Sequence, residues 1–250
     1  MASQASRVIV VTGASRGLGL EFVRQLSGNP DNFVIGVVRN PSKARESDVL
    51  SRSNVALVQA DLSKLDTFSN VAAEIAKLSG GKIDILINNA GVMIGAGASF
   101  ELGISKSTPD EWRDQFHLNV TSIVFFTIAL LDQLEAGTDK KVINLASMLG
   151  DLTYTLANPS LHFASYSTTK AALTIATSKF HVEFQDKGFI FIALNPGWVN
   201  TDLAGEGAGA IAPLQPEQSV SQSLELVFRS GREDSGQYFS LNGRKEAVTH

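Results

Sequence analysis

Apolar positions along the chain fall into short unbroken runs, separated by longer stretches where apolar and polar residues alternate with helical spacing. The runs are rich in Val, Ile, Leu and Phe and occupy residues 7–12, 33–38, 55–59, 83–87, 141–146, 189–194 and 237–241. Runs this short, bounded by Gly, Asn, Asp and Pro, read as strands buried on both faces. Helical spacing fills the intervals at 17–27, 65–78, 111–134, 166–185 and 216–229. The first long helix is entered through Thr108-Pro-Asp-Glu111. Strands of this kind with helices between them predict a mainly parallel seven-stranded sheet, doubly wound by right-handed crossovers, with helices on both faces.

Neither repeats nor linkers interrupt this pattern, so residues 1–250 are expected to form a single domain with the substrate site built into it. Two segments read as loops. Residues 93–107 carry Gly and Ser without periodicity, and residues 204–215 are rich in Gly and Ala. Long loops inside compact domains tend to bind or to close over ligands, and 204–215 is expected to be a substrate lid.

Composition narrows the chemistry. Apolar residues make up 44% and charged residues 18% of the 250, an ordinary globular balance. The 21 basic and 25 acidic side chains leave a net charge of −4, which excludes a broadly basic nucleic-acid surface. Without cysteine there is no disulfide, thiol nucleophile or thiolate metal site. His117, His162, His181 and His250 show no paired spacing, so no metal is expected. The N-terminus has no basic region followed by an apolar core. The longest strongly apolar run, 123–131, is far short of the ~20 residues that span a membrane. A soluble protein, cytoplasmic by default, is expected.

The first strand leads into Thr12-Gly-Ala-Ser-Arg-Gly-Leu-Gly19, with Gly13, Gly17 and Gly19 at the start of a helix. Such a turn lets a diphosphate approach the backbone, and the helix N-terminus offers free N–H groups and a favourable dipole. This makes the sheet a Rossmann type. NAD is usually held by an acidic residue ~20 positions beyond the glycines, on the ribose. Arg39 stands there instead, in Val37-Val-Arg-Asn40. Arg39 and Arg16 suit the 2′-phosphate of NADP(H), since a guanidinium matches phosphate geometry. Their alternative reading is two solvated surface arginines. Asp61, after the third strand, reads either as a partner for the adenine amino group or as a cap for the next helix.

Tyr166 and Lys170 are i and i+4 near the start of a long helix and share one face. A nearby ammonium favours phenolate, so Lys170 is expected to bring Tyr166 toward acid–base range. In order along the chain come Thr12 to Gly19, Asn88-Asn-Ala-Gly91, Asn119, Ser147, Tyr166-x-x-x-Lys170 and Asn195-Pro-Gly-Trp-Val-Asn-Thr201. This order resembles the short-chain dehydrogenase/reductase family, in its single-domain branch, over essentially the whole chain.

The resemblance implies roles. Gly13, Ser15, Arg16, Gly17, Leu18 and Gly19 would hold the diphosphate and adenosine half of the cofactor. Asp61 and Leu62 would border adenine, and Asn88, Ala90 and Gly91 would line the cofactor beside the fourth strand. Pro196, Gly197, Val199 and Thr201 would fix the nicotinamide. Tyr166 would be the general acid, Ser147 would hold the carbonyl oxygen, and Lys170 would hold the ribose and tune Tyr166. Asn119 would hold a water that relays protons to Lys170. A homodimer or homotetramer is expected by resemblance.

Tyr166 lies nineteen positions after Ser147, a longer gap than is usual in the family, and the extra segment should overhang the substrate. Ser160 and Ser165 are rival serines, but Ser147 directly follows the fifth strand. Expected pocket walls are Met93, Ile94, Met148, Leu149, Leu152, Tyr154, Phe163, Trp198 and Leu203, which suit a bulky, neutral, hydrophobic or aromatic small-molecule carbonyl substrate. Phe180-His-Val-Glu-Phe184 and Asn195 to Asp202 resemble fungal ketoreductases of natural-product pathways. The function expected is NADPH-dependent reduction of a ketone or aldehyde. The alternatives are a non-catalytic NADP-binding redox sensor, which would have no use for a proton donor, and the same fold carrying an added isomerase or cyclase activity.

Overall fold

Strand β1 (Arg7–Thr12) shows why the apolar runs are unbroken. Val8 and Val10 join one core layer while Ile9 and Val11 join the other, and all four are fully buried. A strand covered on both faces has no side left for polar residues. The computed structural model describes residues 7–44, 47–204 and 212–241. The other strands are β2 (Asn32–Val38), β3 (Val55–Gln59), β4 (Ile85–Asn88), β5 (Lys141–Leu145), β6 (Ile190–Asn195) and β7 (Tyr238–Ser240). They form one sheet in the order β3-β2-β1-β4-β5-β6-β7, with every pair parallel. This is the doubly wound Rossmann arrangement. The chain runs outward from β1 to β3, then returns to β4 on the other side of β1. The C-terminal ends of β1 and β4 therefore meet at the point where the winding reverses, the usual ligand crevice of such sheets.

The helices are α1 (Gly17–Leu26), α2 (Pro41–Ala44), α3 (Phe68–Ser79), α4 (Pro109–Phe116), α5 (Ser122–Ala129), α6 (Leu131–Glu135), α7 (Leu152–Ala157), α8 (Ala164–Phe184) and α9 (Pro216–Arg229). Helices α1 and α9 cover one face, placing Phe22, Val23, Val220 and Val227 against Ile9, Val11 and Ile192. Helices α3, α5 and α8 cover the other, where Phe68, Ile75, Phe126 and Phe180 meet Val8, Val10 and Phe191. Fully burying one such side chain stabilises by about 1.5–3 kcal/mol, so these two layers dominate the fold.

The single helix expected over 111–134 is not continuous. Helix α4 passes through a π-helical turn, His117–Thr121, into α5, and the backbone leaves helical geometry at Leu130 before α6. Leu130, at the break, and Leu134, four residues on, are both completely buried. On α5, Phe125 and Ile128 stay exposed although neighbouring positions are core. Helix α8 begins two residues before the predicted start and is entered through Phe163, whose φ of 39° is left-handed. Of the expected lid, 205–211 lie outside the described residues. Its end is docked by a bridge between Val199 and Leu214, with the Asn200 N–H donating to the Leu214 carbonyl at 2.9 Å. Among the described residues no helix is long and apolar enough to cross a membrane.

Candidate active site

The C-terminal ends of six strands, β1 to β6, supply the site. After β1 the glycine turn leads into α1, whose N-terminus carries no side-chain cap. Its first N–H groups are thus left facing the crevice with the positive end of the helix dipole. Gly19 is required by close approach, because a Cβ there would run into the Gly13 carbonyl oxygen. Ser15, Arg16 and Gly17 are exposed, and Leu18 lines the cavity described below. This open, shallow cradle fits a diphosphate.

Thr12 ties the two halves of the crevice together. Its hydroxyl accepts from the N–H groups of Asn89 and Ala90, both at 3.1 Å, and its carbonyl accepts from the Asn89 amide at 2.9 Å. Ala90 and Gly91 are thereby held beside the glycine turn. Asn88 faces elsewhere. Its side-chain amide donates to Asn144 at 2.8 Å and Thr127 at 3.0 Å, and Asn144 donates to Thr177 at 2.8 Å. The expected cofactor contact at Asn88 is therefore replaced, for the side chain, by a buried polar ladder linking β4, β5, α5 and α8.

At the far end of β2 and β3, Arg39 is exposed and Leu62 packs partly on the core. Asp61 closes a local turn and does not cap a helix: its Oδ1 accepts from the Ser63 N–H at 3.1 Å and hydroxyl at 2.8 Å, while the next helical turn starts at Leu65 behind Lys64 with no side-chain cap. These bonds hold its carboxyl below the ordinary range, with Lys64 and Arg39 adding electrostatically. Arg39 and Asp61 thus share one neighbourhood. Arg16 spans the crevice to Asp202 at 3.4 Å in an exposed ion pair.

Ser147 follows β5 directly and Tyr166 lies on the first turn of α8. Both line one cavity, with the Ser147 side chain close enough to act on the Tyr166 phenol. Tyr166 is 6% exposed, and burial pushes its phenol well above the usual range, with Ser147 pulling the other way. This reverses the expectation that Lys170 lowers it. The Lys170 ammonium is itself buried, which brings it down to about 8. It donates to the Leu145 carbonyl at 2.6 Å and lies 5.5 Å from the centre of the Tyr166 ring. Asn119 sits in the π-helical turn, wholly buried. Its amide donates to the Val92 carbonyl at 2.8 Å and the Thr169 hydroxyl at 3.2 Å, and its Oδ1 accepts from the Val92 N–H at 2.8 Å. The side chain thereby pins the chain beyond Gly91 against α8. Of the rival serines, Ser160 is exposed and Ser165 turns away, donating to Glu111.

Above Ser147 and Tyr166 opens a cavity of about 160 Å³. Met93, Met148, Leu149, Tyr154 and Phe163 form one side, and Trp198 and Leu203 another. Pro196, Gly197, Val199 and Thr201 line it below. The Gly197 N–H is held by the Asn195 side chain at 3.0 Å. No charged side chain lines this cavity among the described residues. Leu152, 62% exposed, and Ile94 do not line it, contrary to expectation. Helix α7 turns Leu152 outward while presenting Tyr154. The sequence reading missed Phe100 and Leu161, which also line it. Phe100 packs edge-on against Phe163 at 4.7 Å and lies 6.2 Å from Trp198. Its signal was the one aromatic residue of the 93–107 loop.

Known proteins match this arrangement. The short chain dehydrogenase family matches residues 7–209. The short chain dehydrogenase virK of Hypocrea virens is 35% identical over 199 residues, covering 77% of this chain and 73% of that one. The carbonyl reductase Sniffer of D. melanogaster superposes with a TM-score of 0.85 at 25% identity, over 97% of this chain and 99% of the other. An NADPH-bound carbonyl reductase from chicken fatty liver gives 0.85 at 26% identity over the same shares.

Proposed function

Since this chain belongs to the short-chain dehydrogenase/reductase family, we propose that it is an NADPH-dependent reductase of neutral, hydrophobic or aromatic ketones and aldehydes. One observation carries the reading: Ser147 and Tyr166 come together on a cavity that, among the described residues, no charged side chain lines. The two carbonyl reductases that superpose on the fold support it.

The uncapped N-terminus of α1 and the turn from Gly13 to Gly19 would hold the diphosphate, and Ala90 and Gly91 would flank the cofactor. Pro196, Gly197, Val199 and Thr201 would bear on the nicotinamide, and Arg39 with Arg16 on the 2′-phosphate. When bound, the nicotinamide supplies the hydride that reaches the carbonyl carbon. The protein supplies the rest. Because burial keeps the phenol of Tyr166 protonated at neutral pH, it stands as a donor. Ser147 donates toward the carbonyl oxygen as negative charge builds there. An alkoxide is a stronger base than a phenolate, so the proton passes from Tyr166 to substrate. Lys170, charged at neutral pH, then favours the phenolate left behind.

The cavity's volume is close to that of an engineered apolar site that takes one benzene ring. It suits one ring-sized head group beside Tyr166, with the bulk of a larger ketone extending through the mouth. The exposed Phe125 and Ile128 of α5 fit self-association of the chain. The test is NADPH consumption by the purified protein with a neutral aromatic ketone and a small keto acid at matched NADPH. The aromatic ketone should be the clearly better substrate, and preference for the keto acid overturns the reading.

A further inference from the structure

Glu111 is a carboxylate only 7% exposed, and among the described residues it forms no ion pair. A buried charge without a counterion has to be sustained by hydrogen-bond donors. Its Oε2 accepts from the Ala96 N–H at 3.0 Å, and its Oε1 from the Gly97 N–H at 2.8 Å and from the Ser165 hydroxyl. Two successive backbone N–H groups of the tight turn Gly95–Ala98 thus enclose the anion. The turn is shaped around it. Gly95 has a φ of 56°, and a Cβ at that position would come 2.5 Å from Oε2.

The opening of α4 explains how this carboxylate is spent. Thr108-Pro-Asp-Glu111 has the spacing of a capping box, in which the glutamate folds back on its own helix. Thr108 does its half, its Oγ1 accepting from the Glu111 N–H at 3.3 Å. The carboxylate reaches across to the 95–98 turn.

Both groups it grips lead to the site. The turn runs on to Phe100 in the cavity wall, and Ser165 immediately precedes Tyr166. Gln115, one turn along α4, also donates to the Ser165 hydroxyl. A second stitch joins the same segments, the Phe163 N–H donating to the Ser99 carbonyl at 3.3 Å.

We propose that Glu111 is a positioning residue that fixes the aromatic wall at Phe100 and Phe163 relative to the phenol of Tyr166, and so selects the ketones that are turned over. This rests on the carbonyl-reductase reading. A ring braced by the wall meets the proton donor in one orientation, whereas a small ketone has no such brace to lose.

The test compares Glu111→Gln with wild type on acetophenone and acetone, with NADPH affinity measured alongside. The carboxamide sets its NH2 against one of the two backbone N–H groups and loosens the turn. kcat/KM for acetophenone should fall about tenfold or more, acetone by less than about threefold, with NADPH affinity within about twofold. Equal losses on the two ketones, no loss on either, or NADPH binding lost in step with activity would overturn it. Should that variant fail to fold, Ser165→Ala keeps the carboxylate on its backbone donors and should show the same split at about threefold; an equal effect on both ketones again overturns it. A wild type that reduces neither ketone refutes the reductase reading instead. Acetophenone affinity, read by tryptophan fluorescence with NADPH present, then decides: about tenfold weaker in Glu111→Gln sustains the positioning role, and unchanged affinity removes it.

Discussion

Ser165 and Tyr166 are adjacent in the chain, yet their hydroxyls serve opposite sides of α8. Ser165 donates inward to Glu111, whereas Tyr166 lines the cavity together with Ser147. Successive helical residues point about a quarter turn or more apart, so only one of the two reaches the crevice.

Tyr166→Phe deletes the phenol hydroxyl and little else. Turnover should fall by about 10²–10⁴-fold, the usual contribution of a positioned acid, while NADPH affinity stays within about twofold. Steady-state kinetics with a separate cofactor titration checks this. If most of the rate survives, Tyr154 in the cavity wall is the next donor to remove.

Lys170 gives the reaction a pH limit. Its ammonium is held down to about 8 by burial, so it is charged at neutral pH and neutral above that value. kcat/KM for reduction should be level near pH 7 and decline as pH rises through about 8. Stability moves the opposite way. The unfolded chain keeps this proton up to the ordinary lysine value of 10.5 and the folded chain only to about 8, so between the two the unfolded state binds more protons and stability rises with pH. Lys170→Met, similar in volume and uncharged, should abolish most turnover and raise the melting temperature at pH 7. A lower melting temperature would show that the Leu145 contact outweighs desolvation.

Arg39 should set cofactor choice. Arg39→Asp places a like charge by the 2′-phosphate and should raise the KM for NADPH about tenfold or more, with NADH little affected. Equal wild-type efficiency with the two cofactors would refute the assignment.

Asn144 should matter for stability before it matters for chemistry. Asn144→Leu removes the acceptor of Asn88 and the donor to Thr177 inside the core. Leaving such groups unsatisfied costs about 1–3 kcal/mol, readable as a lower denaturant midpoint.

Much of this was legible in the sequence because it depends on local spelling. The strands announce themselves through runs of Val and Ile, the crevice through Gly13 to Gly19, and the Ser147–Tyr166–Lys170 set through its position after β5 and on α8. What stayed hidden depends on contacts between distant segments. Nothing near Asn88 tells that Asn144 and Thr127 wait to take its amide. The same holds for Glu111, whose local spelling predicts a cap while the 95–98 turn claims its carboxylate. Leu152 and Tyr154 differ only in which way a short helix faces. The break at Leu130 interrupts a periodicity that runs on through Leu134, so the apolar spacing does not mark it.

The Thr12 hydroxyl lies on the seam where the first three strands meet the last four. β1 is central in space although first in sequence, so the crevice exists only once the two halves of the chain have docked. Each half can gain its own strands and helices from nearer contacts, but the bond from Thr12 to Asn89 and Ala90 closes a loop of more than seventy residues. Long loops close late and slowly. During refolding, recovery of NADPH binding should therefore lag recovery of helical signal, and Thr12→Val should lengthen that lag.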